Sequence, residues 1–300
     1  MKPQEFALDS LVQARLDRRR FFRQAGMLGF GAAAAGLMPS AAFAEAEPPA
    51  EREQEREQAK DTVKQIFTAA LIAEDLATTF YYNSLVGEVI EDPNLAGEGG
   101  SATNVTAAGN FGNVAYIRAA LTEEIAHANL LRSLLGIADA AHDPVQTFYF
   151  PAGSFDTLAA FTSLLDALEN AFIGAYLNAI QELATKAAHL RARDERDQDD
   201  SDSKYTAEQL EYFAKVAATI MGIECEHRVL GRVISNSNPA NNLNYEQTDG
   251  LNAVFNGPKS AVAALTPFLT PSTGPAYSFA AAIAGQSAVS EPVGGNPPAF

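Results

Sequence analysis

Four stretches of the chain place apolar residues at helical spacing, and each sets a glutamate inside its own apolar stripe. The stretches lie near residues 58–90, 111–135, 155–190 and 206–235. The first stripe runs Val63, Ile66, Ala70, Ala77, Tyr81 and Leu85, and the second Ile117, Leu121, Ala128, Leu131 and Leu135. The third runs Leu158, Leu165, Phe172, Tyr176 and Ile180, and the fourth Phe213, Ala217, Ile220, Gly231 and Ile234. Stripes of this width predict an all-α four-helix bundle. Glu74 falls between Ala70 and Ala77, Glu124 between Leu121 and Ala128, Glu169 between Leu165 and Phe172, and Glu224 between Ile220 and Gly231. A carboxylate buried without a partner must protonate or find a cation. Four in one layer, with no Lys or Arg in the stripes, predict multivalent cations between them.

Two histidines extend the pattern. Glu124-Ile-Ala-His127 and Glu224-Cys-Glu-His227 are both Glu-x-x-His, a spacing that puts the two side chains on one helix face a turn apart. With 22 glutamates and four histidines in 300 residues, roughly 0.3 such pairs arise by chance; two are present. A dinuclear carboxylate site in a bundle takes one Glu from each of two helices and a Glu-x-x-His from each of the others. The chain supplies that inventory in the order Glu, Glu-x-x-His, Glu, Glu-x-x-His, so Glu74, Glu124, His127, Glu169, Glu224 and His227 are the expected metal ligands.

The spacing also suggests an internal duplication. Glu169 follows Glu74 by 95 residues, while Glu224 and His227 follow Glu124 and His127 by 100. Tyr81 and Tyr176 each stand seven residues after the glutamate of their helix; they are read equally as partners of the ligands or as core residues. Glu182 competes with Glu169 but lies near the end of its helix. Glu123, Asp75 and Glu226 are expected to point away from the stripe. His142 and His189 read as surface residues, and Cys225 as a small helix residue.

On these motifs, residues 58–235 resemble the ferritin-like superfamily of di-iron and di-manganese carboxylate bundles. Within it, the chain looks like the exported ferritin-like proteins related to desiccation-related proteins. The resemblance implies that Glu74 and Glu169 are terminal ligands, that Glu124 and Glu224 bridge, and that His127 and His227 cap each ion. It implies two metal ions, iron first and manganese second.

The flanking segments read differently. Asp17-Arg18-Arg19-Arg20-Phe21-Phe22-Arg23 precedes an apolar run and Ala42-Phe43-Ala44, the layout of a secretory signal over residues 1–44. The paired arginines resemble the twin-arginine type, with Asp17 a departure from its usual Ser or Thr. This implies export machinery for folded cargo as a partner and a periplasmic or extracellular destination; a membrane anchor helix is the alternative. Residues 45–57 form a charged leader. A long link over 137–154, with strand-like Gln146–Phe150, suits a bundle whose middle connection crosses its length. Residues 236–300, rich in Asn, Pro and Gly, read as a tail wrapping the bundle, with a short helix within Asn252–Leu265.

Charge and cysteine content narrow the chemistry. The formal charge is −16; residues 1–44 hold six Lys or Arg and three Asp or Glu, so the remainder carries 15 basic against 34 acidic residues, a net of −19. Such a surface disfavours nucleic acid and anionic lipid as partners. One cysteine excludes an intrachain disulfide and a Cys-rich metal cage. Three functions fit: a di-iron oxidase or peroxidase acting on Fe(II), O2 or H2O2; a manganese-catalase-like peroxide disproportionase; and a non-catalytic stress-protective protein. Iron storage in a closed shell fits less well, because the leader, insertion and tail would obstruct packing.

Overall fold

The computed structural model describes residues 61–192, 204–237, 239–241, 252, 254 and 260–291. The segments read as signal and leader, 1–57, lie outside them. Four long helices dominate: α1 (Val63–Val86), α2 (Phe111–Leu135), α3 (Leu158–Ala192) and α4 (Ala207–Ile234). Helix α1 starts at Val63, the first residue of its stripe and later than the stretch drawn from 58, because Thr62 forms a capping box with Gln65. It also stops earlier, at Val86, where Gly87 adopts an extended conformation and a 3-10 turn, Glu88–Glu91, follows.

The caps carry the duplication further than the site residues do. Thr157, 95 residues after Thr62, accepts a bond from the Ala160 amide at the start of α3. Gly136 ends α2 in the left-handed region at φ 71°, and Asn236, 100 residues later, does the same after α4 at φ 58°. The matching closing bonds are Ile137 N–H to Arg132 C=O at 3.0 Å and Ser237 N–H to Arg232 C=O at 2.8 Å.

One buried cluster fixes the helix directions. It joins Val63, Phe67 and Leu71 of α1, Ala128 and Leu131 of α2, Leu183 and Ala187 of α3, and Leu210 and Phe213 of α4. The beginnings of α1 and α4 therefore share an end of the bundle with the ends of α2 and α3. Helices α2 and α3 run parallel, so the link between them must travel the length of the bundle. That link carries a short turn, Ala140–His142, and a strand β1 (Thr147–Tyr149).

The later residues close over this link. Strand β2 (Ala276–Ser278) pairs antiparallel with β1 in the register Thr147–Ser278, Phe148–Tyr277, Tyr149–Ala276. Two short helices flank β2: α5 (Ala261–Leu265) and α6 (Phe279–Gly285). Phe268 and Phe279 are buried, and Phe150 packs against Phe80, Phe155, Phe268 and Tyr277 with ring centroids 5.4–5.8 Å apart. Of the expected helix within Asn252–Leu265, only Ala261–Leu265 is described.

At the other approach of the bundle, a Cβ added to Gly231 of α4 would meet Leu165 Cδ2 of α3 at 2.7 Å. The small residue lets α3 and α4 come close one turn beyond His227.

Candidate metal centre

The six residues expected as ligands converge in the middle of the bundle. Glu74, Glu124, Glu169, Glu224 and His227 are buried, and the His127 side chain is 12% exposed. Their ligand atoms form two overlapping sets, each within 4.8 Å: Glu74, Glu124, His127 and Glu224; and Glu124, Glu169, Glu224 and His227. Glu124 and Glu224 belong to both.

The histidines aim Nδ1 inward. His127 Nδ1 lies 3.2 Å from Glu74, 3.6 Å from Glu124 and 3.6 Å from Glu224. His227 Nδ1 lies 3.0 Å from Glu124, 3.4 Å from Glu224 and 4.0 Å from Glu169.

The buried atoms there are short of partners. Both oxygens of Glu124, both of Glu224, Oε2 of Glu169 and Nδ1 of His227 make no hydrogen bond among the described residues. Each such atom costs about 1–3 kcal/mol, more when charged. Six of them converging on one space fit a polar guest, and four carboxylates match two divalent cations in charge. Oxygen and imidazole donors suit iron or manganese alike.

Titration behaviour follows from the crowding. Burial, then the carboxylate neighbours, raises the pKa of Glu124, Glu169 and Glu224. For His127, burial pulls the pKa down, but Glu74 and Glu124 outweigh it and push it up to about 11. His227 is likewise raised well above the ordinary range, burial opposing and Glu123, Glu124 and Glu224 raising it. Without metal, this crowding favours the protonated forms of Glu124, Glu169, Glu224 and both histidines.

The tyrosines cross over. Tyr81 of α1 donates to Glu169 Oε1 of α3 at 2.7 Å, and Tyr176 of α3 donates to Glu74 Oε1 of α1. Both hydroxyls are held protonated, their pKa raised well above ordinary by burial and then by the carboxylate each contacts. Each bond occupies one oxygen of its glutamate, and at Glu169 the other is left unpartnered. Of the two readings open for these residues, the structure favours partners of the cluster.

Two residues turn from the cluster as their spacing predicts, but neither is idle. Glu123 points away from the cluster, yet its Oε2 lies 2.8 Å from Nε2 of His227. Asp75 turns from the cluster but not to water: it is fully buried and 2.9 Å from Arg132 Nη2, whose guanidinium also meets Asp143 at 2.6 Å. Burial and Asp143 raise the pKa of Asp75, against the opposing pull of Arg132. Glu182 stays outside the centre, accepting from the Asp61 amide at 3.0 Å. Glu226 and His189 are exposed, as is His142, which pairs with Asp139 at 2.7 Å.

This geometry defines a ferritin-like bundle with a buried carboxylate–histidine cluster able to hold metal. Residues 62–193 match the family described as Ferritin-like domain. The match spans α1 to α3 and therefore Glu74, Glu124, His127 and Glu169; Glu224 and His227 join them through α4. No curated protein and no solved structure matches the chain.

Proposed function

We propose that the chain binds a dinuclear metal centre, with Glu74, Glu124, His127 and Glu224 holding one ion and Glu124, Glu169, Glu224 and His227 the other. The observation that carries this is the set of unpartnered buried atoms on residues common to two ligand groups. A bound iron pair would supply redox chemistry toward O2 or peroxide, and a bound manganese pair would supply it for peroxide disproportionation. The reading is a di-iron oxidase or peroxidase acting on Fe(II), O2 or H2O2. The manganese reading stays beside it because the donor set serves both metals.

The protein's own groups have separable tasks. Glu124 and Glu224, common to both groups of ligand atoms, would serve both ions. Tyr81 and Tyr176 hold Glu169 and Glu74 by one oxygen each, which orients the other oxygen. The aromatic and aliphatic walls, Leu121, Phe172 and Ile220 among them, keep the cluster dry. On the sequence of residues 1–44 we further propose an exported, twin-arginine-dependent protein, loaded with metal before export.

Purified protein reconstituted with Fe(II) or Mn(II) tests the activity. O2 uptake with excess Fe(II), or peroxide loss with either metal, at rates lost in Glu124→Gln, is the expected result. Bound metal with neither reaction would support the non-catalytic, stress-protective role instead.

A further inference from the structure

The second and fourth helices carry the same residue at Glu124 and Glu224, His127 and His227, and Arg132 and Arg232, and the same left-handed backbone at Gly136 and Asn236, all 100 residues apart. They differ at many other positions, and one of these is Glu123, whose counterpart is Ile223. That difference falls on the outer nitrogen of a histidine. His227 Nε2 is 2.8 Å from Glu123 Oε2, while His127 Nε2 has no hydrogen-bond partner among the described residues. The His227 side chain is 3% exposed and that of His127 12%.

We propose that the two metal positions are unequal by construction: Glu123 makes the His227 position the tighter one, and leaves the His127 position exchangeable. This rests on reading the centre as dinuclear. A histidine that binds metal through Nδ1 must keep its proton on Nε2. Glu123 accepts that Nε2–H, so the ring orientation needed by the metal is set before it arrives, and the proton displaced on binding is the one on Nδ1. The carboxylate also makes the ring a better donor and adds negative charge beside that ion. His127, oriented only from its inner side by Glu74 at 3.2 Å, has no such acceptor on Nε2, and its partial exposure gives water a way to compete. Partners of this kind are worth about 10- to 100-fold in metal affinity. Glu123 is a positioning residue, since its contact is with His227 and not with the ion.

The test is equilibrium titration of the metal-stripped full chain with Co(II), followed by calorimetry and visible absorption. Two unequal steps are expected, the tighter abolished by His227→Gln and the weaker by His127→Gln. Glu123→Leu should weaken the tighter step by about 10- to 100-fold and leave the other unchanged. Glu123→Gln, which keeps an acceptor oxygen, should recover part of the loss. Because the Glu123 side chain is 44% exposed, both variants should melt close to the parent temperature. Two steps untouched by Glu123→Leu, or a loss confined to the step that His127→Gln removes, would overturn the inference while leaving the centre standing. No Co(II) bound by the parent chain would overturn the centre itself.

Discussion

Tyr81 reaches from α1 to donate to Glu169 on α3, while Tyr176, in the equivalent place on α3, reaches back to Glu74. The two bonds tie antiparallel helices at two levels, and each tethers a carboxylate that the cluster would otherwise repel. Tyr81→Phe removes one tie and leaves Glu169 Oε1 buried without a donor. Chemical denaturation of the metal-free protein should show a loss of about 1–3 kcal/mol. An unchanged midpoint would mean that Glu169 turns away or protonates without cost.

The cluster is built for cations at the expense of the metal-free fold. Glu224→Gln removes one negative charge from a group of four buried carboxylates. The metal-free variant should be more stable than the parent by about 0.5–2 kcal/mol. The same variant should lose the stabilisation that added metal gives the parent. Paired melts with and without Mn(II) check both signs.

Acidity should act on the two forms in opposite senses. The raised pKa of Glu124, Glu169 and Glu224, and of His127, means that the metal-free fold holds protons the unfolded chain releases. For His127, the resulting stability is present below pH 6.5 and lost as pH rises toward about 11; for the glutamates the loss begins above 4.5. The metal-free melting temperature should therefore fall from pH 6 to pH 9. Stabilisation by saturating Mn(II) should grow over the same range, because each ion displaces those protons. A metal-free melting temperature that rises with pH would contradict the account.

Away from the centre, Arg132 binds α1 to the α2–α3 link through Asp75 and Asp143. Arg132→Met leaves two buried carboxylates facing each other, and should cost about 3–5 kcal/mol by denaturation. Adding Asp75→Asn and Asp143→Asn to that variant should recover much of the loss.

Periodicity made the helices legible because each buries one face along its whole length, and α2 keeps the bounds 111–135 that its stripe suggests. The glutamates and histidines were legible for the same reason: a charged residue inside an apolar stripe violates the pattern locally. The ends of α1 were less so: the stretch drawn to 90 takes in Val89 and Ile90, which are buried from a 3-10 turn and not from a helix. Contacts between distant elements left no local trace. The pairing of β1 with β2, the crossed tyrosines and the Arg132 group each depend on which helices become neighbours. Glu123 is instructive: spacing correctly turns it from the carboxylates, but only the placement of α4 beside α2 brings it to His227. Glutamate against isoleucine at 123 and 223 is one of many differences between the two helices, so nothing in the sequence singled the position out.

The most direct measurement is metal content per chain by elemental analysis, after equilibration with Mn(II) or anaerobic Fe(II) and removal of free ions. The account predicts two ions in the parent protein, none in Glu124→Gln, whose carboxylate serves both positions, and one in Glu74→Gln. No tightly held ion in the parent protein, or two ions surviving Glu124→Gln, would contradict it.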